Sequence, residues 1–123
     1  MIGADLTRQL AGVLDAHVWD QLPGLLHASF RCYYVHTGET FDADAWVRLN
    51  VGYPGFERFV LQDLVGDGDR AVGRAHVTAT MDGVRQHFEV ASFLTSRDGL
   101  IIELVEVWTD IAQATPGGTR PQV

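Results

Sequence analysis

Four side chains in the second half of this sequence are of types that move protons: His76, His87, Glu89 and Glu106. Histidine titrates near neutral pH. A carboxylate set beside the indole of Trp108 in apolar surroundings has its pKa raised by desolvation, so these residues make a candidate general acid–base set. A plainer reading is a belt in which Arg74, His76 and Glu89 compensate one another's charge. His87-x-Glu89 with His76 across the strand also offers three metal ligands, though this is the spacing of ordinary strand alternation.

These residues sit in a region of long β-rich runs. Residues 84–110, VRQHFEVASFLTSRDGLIIELVEVWTD, read as an antiparallel hairpin around Asp98-Gly99, and Asp82-Gly83 ties its first strand back to residues 71–81. With two-residue loops the turns set Phe93 opposite Leu104, Ala91 opposite Glu106 and Glu89 opposite Trp108. They also set Thr78 opposite His87, His76 opposite Glu89 and Arg74 opposite Ala91. One sheet face then gathers Arg74, His76, His87, Glu89, Ala91, Phe93, Leu104, Glu106 and Trp108, and the other carries Ala75, Val77, Phe88, Val90, Ser92, Leu94, Val105 and Val107.

Upstream, Leu6, Leu10, Val13 and Leu14 recur at helical spacing after Asp5, predicting a helix to about Ala16. A second helix is expected from Asp20, with Pro23 in its first turn. Residues 29–35 read as a strand in which alternation sends one of Tyr33 and Tyr34 inward. A third helix opens at Asp42 or Asp44 and places Trp46, Leu49 and Tyr53 on one side; residues 56–65 return to β structure. The order predicts an α+β fold, a cone-shaped, curved antiparallel sheet (a half-barrel) wrapped by three N-terminal helices. One domain is expected over residues 1–112, with a flexible tail over 113–123.

Composition narrows the partners. A net charge of −7 with nine dispersed basic residues argues against nucleic acid. No apolar run is long enough to span a bilayer, and the N-terminus has neither a basic nor an apolar leader region, so a cytoplasmic protein without membrane attachment is expected. Cys32 is the single cysteine, which excludes an intrachain disulfide, and it reads as a core thiol.

The element order, FDADAWVRLNVGYPG before the sheet and DGLIIELVEVWTD at its end resemble the nuclear transport factor 2-like superfamily. The closer likeness is to its SnoaL-like polyketide cyclase and ketosteroid isomerase-like branch. The resemblance implies a small-molecule pocket protein that works without a metal or other cofactor, a cyclase, isomerase or hydratase that transfers protons on a hydrophobic, polyketide-like or aromatic substrate. The alternative is a non-catalytic ligand-binding or protein-association module of the same fold. Positions matching the isomerases' catalytic tyrosine, general base and oxyanion-hole acid fall near Leu10, Cys32 and Ala91, so steroid isomerisation by that mechanism is excluded. The resemblance also turns Ala91, Leu104, Glu106 and Trp108 inward. On that basis His76, His87, Glu89 and Glu106 are the catalytic candidates, and Tyr33, Tyr34, Ala91, Phe93, Leu104 and Trp108 line the pocket. Phe88, Val90, Leu94, Val105 and Val107 are left for a homodimer interface on the outer face.

Overall fold

The computed structural model describes residues 2–122, so residues 1 and 123, at the outer ends of the expected domain and tail, lie outside the described residues. Helix α1, Ile2–Ala16, buries Leu6, Leu10, Val13 and Leu14. It ends at His17, whose left-handed φ of 57° lets the Val18 N–H reach the Val13 carbonyl at 3.1 Å and satisfies carbonyls the last turn would leave open.

The second expected helix takes the form of two 3-10 turns, Trp19–Gln21 and Pro23–Leu25. Pro23 has no N–H to carry an α ladder through this stretch and Gly24 adds the poorest non-proline helix former, so single turns form before the chain extends at Leu26. Strand β1, Leu26–Tyr34, and a short β2, Thr40–Asp42, follow. Asp42 then caps α2, Ala43–Gly52, accepting from the Ala45 N–H at 2.9 Å.

The remaining strands are β3 Phe56–Asp67, β4 Arg70–Met81, β5 Val84–Arg97 and β6 Leu100–Asp110. Gly55 enters β3 at φ 71°, where a Cβ would lie 1.9 Å from the Thr80 carbonyl oxygen, so only glycine permits this approach of β3 to β4. Residues 113–122 contain neither helix nor strand.

The six strands form one sheet in the order β2-β1-β6-β5-β4-β3. β1 runs parallel to β6, so the sheet is mixed and not antiparallel throughout. That pairing joins distant parts of the chain and leaves no local mark in the sequence. The helices pack on one side: Leu6, Leu10 and Leu14 meet Ala75, Val77, Val90, Leu94 and Leu104 in a single core.

The β4–β5 register is the expected one, with His76 opposite Glu89 and Thr78 opposite His87. The β5–β6 hairpin also starts as expected, with Arg97 opposite Leu100 and Ser96 opposite Ile101, but the next pair is Thr95 with Glu103. This bulge advances β6 by one residue. Glu106 therefore faces Ser92 and not Ala91, Trp108 faces Val90 and not Glu89, and Leu104 faces Leu94 and not Phe93.

A shift of one residue exchanges which residues share a face. Glu106, Leu104 and Trp108 join Val77, Phe88, Val90, Ser92 and Leu94 on the side covered by the helices. His76, His87, Glu89, Ala91 and Phe93 share the outer side with Val105 and Val107. The expected dimer surface is corrected accordingly: Phe88, Val90 and Leu94 belong to the core or pack against it, and of the five residues named only Val105 and Val107 lie on the outer face.

Candidate functional site

Between α1, α2 and the inner face of the sheet lies a cavity of about 540 Å³. Its walls come from α1 (Leu14), the end of β1 (Tyr34), α2 and the residues after it (Trp46, Leu49, Asn50, Tyr53), and strands β3 to β6 (Phe56, Phe59, Val77, Phe88, Trp108). The helices can stand off from the sheet at this end because β4 turns only small or aliphatic side chains inward, Ala75, Val77 and Ala79. Asp15, at the end of α1, holds β3 in place by accepting from Arg58 at 2.7 and 3.0 Å and from the Phe59 N–H at 3.0 Å. The Arg58 guanidinium keeps the Asp15 carboxyl below its usual range. His17 stacks on Phe56 at 4.9 Å between ring centroids, which orients that part of the wall.

The one charged side chain buried in the cavity wall is Glu106, 2% exposed. Its Oε2 accepts from the Ser92 hydroxyl at 2.6 Å and its Oε1 from the Trp108 indole N–H at 3.3 Å. Burial pushes the Glu106 carboxyl up from its ordinary value, with the Ser92 and Trp108 hydrogen bonds opposing. A carboxyl raised in this way exchanges protons closer to neutral pH than a solvated one and suits general acid–base work.

Tyr34 is the second polar group, 8% exposed. Its oxygen accepts from the Trp46 indole N–H at 3.2 Å, leaving its own proton to donate to a ligand. Burial, then the charge of Glu106, push the phenol well above its normal pKa, so Tyr34 is a neutral donor across the physiological range. Cys32, on the same strand and fully buried, has its thiol raised by burial as well, which suits a core thiol and not a nucleophile.

The expected site residues divide between the two faces. Glu106 lines the cavity, as do Tyr34 and Trp108. Leu104 points the same way but is fully buried in the core and does not line the cavity. Tyr33, 41% exposed, turns outward because alternation along β1 sends Phe30, Cys32 and Tyr34 inward. Ala91 and Phe93 are on the outer face.

His76, His87 and Glu89 are on the outer face too, where they form a chain. His76 Nδ1 is 2.6 Å from Glu89 Oε2, His76 Nε2 is 2.9 Å from His87 Nδ1, and Arg74 donates to Glu89 Oε1 at 2.8 Å. Partial burial works to raise the Glu89 carboxyl, but its bonds to Arg74 and His76 outweigh this and hold it below its usual value. This is the charge-compensated belt, and no member of it reaches the cavity. Among the described residues no three His, Cys, Asp or Glu side chains are placed to hold a metal ion.

Several cavity residues were not among the candidates. Trp46 belongs to the core and the cavity at once: it is 1% exposed and lines the cavity. His36 is exposed at the rim and stacks on Tyr34 at 5.5 Å. Phe56, Phe59, Asn50 and Tyr53 come from a segment with no polar motif. Ser92, which holds Glu106 without lining the cavity itself, had a readable sign, being the one hydroxyl in the inward run Phe88, Val90, Leu94, where a polar residue needs a buried partner.

The described residues contain no helix long and apolar enough to cross a membrane. A comparison with curated proteins gives no match by sequence. Among solved structures, one from Kribbella flavida DSM 17836, described as a candidate ketosteroid isomerase, superposes with a TM-score of 0.81 at 23% identity, covering 98% of this chain and 88% of that one. IdmH from Streptomyces antibioticus, described as a candidate polyketide cyclase, gives 0.72 at 18% identity over 85% and 89%. An epoxide hydrolase from M. tuberculosis gives 0.74 at 14% identity over 86% and 81%. At these identities the likeness is one of fold. The family model for the SnoaL-like domain matches residues 6–104, ending two residues short of Glu106. The chain belongs to the SnoaL-like domain family.

Proposed function

We propose that this protein is a cofactor-independent enzyme, a cyclase, isomerase or hydratase, that moves a proton on a hydrophobic, polyketide-like or aromatic substrate. Glu106 is its general acid–base and Tyr34 its hydrogen-bond donor. The observation that carries the reading is a single buried carboxyl with a raised pKa in the wall of an aromatic cavity. Tyr34 would donate to a substrate carbonyl while Glu106 takes or returns a proton at the neighbouring carbon.

The test needs no knowledge of the natural substrate. Incubation in D2O with a panel of aryl ketones and 1,3-diketones should give protein-dependent deuterium incorporation at the α-carbon, read by mass spectrometry. Glu106→Gln should reduce it at least about 100-fold, the lower end of the usual acid–base contribution. Ketones that occupy the cavity without exchanging, or exchange that survives in Glu106→Gln, would overturn the reading. A binding module is the second reading, favoured by the fact that both Glu106 oxygens already have protein partners.

A homodimer through the outer sheet face belongs to the same proposal, with a different set of residues. Val65, Val72, Phe93, Val105 and Tyr33 pair in one row across five strands, with Val107 one level along. Tyr33, Phe93 and Val107 are each 37–42% exposed in the single chain. An apolar strip running across a sheet is self-complementary under a two-fold axis. Sedimentation equilibrium at micromolar concentration should give a dimer and Phe93→Glu a folded monomer; a monomeric wild type would refute it.

A further inference from the structure

We infer that the ligand of this cavity carries a cationic group, a protonated or quaternary amine on an aromatic body. This rests on the reading that the cavity holds a small molecule, but not on catalysis. The chain has no lysine, and none of its nine arginines lines the cavity. The charged lining residues are Glu39, Glu106 and Asp110, all acidic. At the mouth, the side chains of Glu39 and Asp110 take part in no ion pair among the described residues.

Aromatic side chains line much of the wall beside these carboxylates. Tyr34 and Trp108 stand 6.4 Å apart between centroids at 56°, next to the Glu106 carboxyl that Trp108 holds. Tyr53, Phe56, Phe59 and Phe88 continue the surface toward the mouth. Ring faces attract a cation by their quadrupole, most strongly where water is excluded. An anion, whether a free acid or a phosphorylated carrier, would meet the Glu39 and Asp110 carboxylates and the Glu106 carboxyl with no lysine or arginine to offset them, the imidazole of His36 being the one basic side chain in the lining. A neutral ligand would have no use for the unpaired pair at the mouth. A cation near Glu106 also favours its ionised form, so binding should release a proton when Glu106 is protonated in the free protein.

The experiment compares three probes on one scaffold: (2-naphthylmethyl)trimethylammonium, 2-naphthalenemethanol and 2-naphthoate. Binding is followed by fluorescence of Trp46 and Trp108 and by calorimetry in two buffers of different ionisation enthalpy. The ammonium probe should bind about 10-fold or more tighter than the alcohol, be displaced by it competitively, and release protons at a pH where Glu106 is protonated in the free protein; naphthoate should not bind measurably. Glu39→Gln with Asp110→Asn should weaken the ammonium several-fold and leave the alcohol unchanged. The inference is overturned by an alcohol that binds as tightly as the ammonium, by measurable naphthoate binding, or by an ammonium probe that the alcohol cannot displace, which marks general attraction to an acidic surface. Binding of none of the three overturns it as well, since a naphthalene fits within about 540 Å³. Any of these results leaves the deuterium-exchange test of Glu106 standing, and failure of that test leaves this one standing.

Discussion

Glu106→Gln is expected to melt several degrees above the wild type at pH 8 and at nearly the same temperature at pH 4, while losing at least about 100-fold of proton-exchange activity. Glutamine is a close stand-in for the protonated acid: its Oε1 accepts from the Trp108 N–H as Glu106 does, and its Nε2 donates to the Ser92 hydroxyl where the acid would donate its proton. What it cannot do is ionise. The folded-state pKa of Glu106 is raised above the ordinary 4.5, so the folded protein holds a proton that the unfolded chain releases. The stability this proton contributes is fully present below pH 4.5 and is lost as pH rises through the raised value. Above that window the wild type carries a desolvated carboxylate that glutamine avoids. The cost of such a poorly solvated group is about 1–3 kcal/mol, and each kcal/mol is worth about 4 °C in a domain of this size. Thermal melts of both proteins across pH 4–8 read the effect. A gap in melting temperature that does not widen with pH would show that Glu106 is ionised at little cost, and would remove the basis for its role as an acid near neutrality.

Trp46→Ala is expected to lose about 3–5 kcal/mol, a large share of the roughly 5–15 kcal/mol that holds a domain together. Trp46 is 1% exposed, packs on Phe30 with ring centroids 5.3 Å apart, donates to the Tyr34 hydroxyl, and is the buried residue of α2, touching both core and cavity. Its removal leaves a hole that closes only by moving the helix. Trp46→Phe separates packing from hydrogen bonding. It keeps most of the volume and should cost about 1 kcal/mol for the lost bond, while weakening ligand binding because Tyr34 loses the donor that orients it. Urea denaturation should show a lower midpoint with an unchanged slope for both variants, the shift being several times larger for alanine. A Trp46→Ala protein within about 1 kcal/mol of wild type would mean that the α2 contact contributes little to the core.

The amino-acid pattern alone determined what local physics governs. Helical spacing of Leu6, Leu10, Val13 and Leu14 placed α1, the aspartates Asp42 and Asp44 marked the start of α2, where Asp42 is the cap, and the turns Asp82-Gly83 and Asp98-Gly99 set the strands and the whole β4–β5 register. Both residues of each turn adopt positive φ, the geometry such pairs favour in two-residue hairpins. The burial of Tyr34 behind an exposed Tyr33 followed the alternation of β1, though alternation by itself did not say which tyrosine turns inward. Tertiary structure decided the rest. Leu-Ile-Ile after the turn is equally compatible with a regular ladder or a bulge, since every register buries some of its apolar side chains. With the bulge between Thr95 and Ser96, Glu106 lies opposite Ser92, whose hydroxyl meets one carboxylate oxygen while the Trp108 indole meets the other, and His76, His87 and Glu89 lie on the opposite face, where Arg74 meets the Glu89 carboxylate. The parallel pairing of β1 with β6, and the closing of the cavity by α2 with the segment around Tyr53 to Phe59, rest on contacts between residues far apart in the chain. Such contacts form because buried polar groups must find partners and apolar faces must be covered, conditions that only the assembled fold imposes.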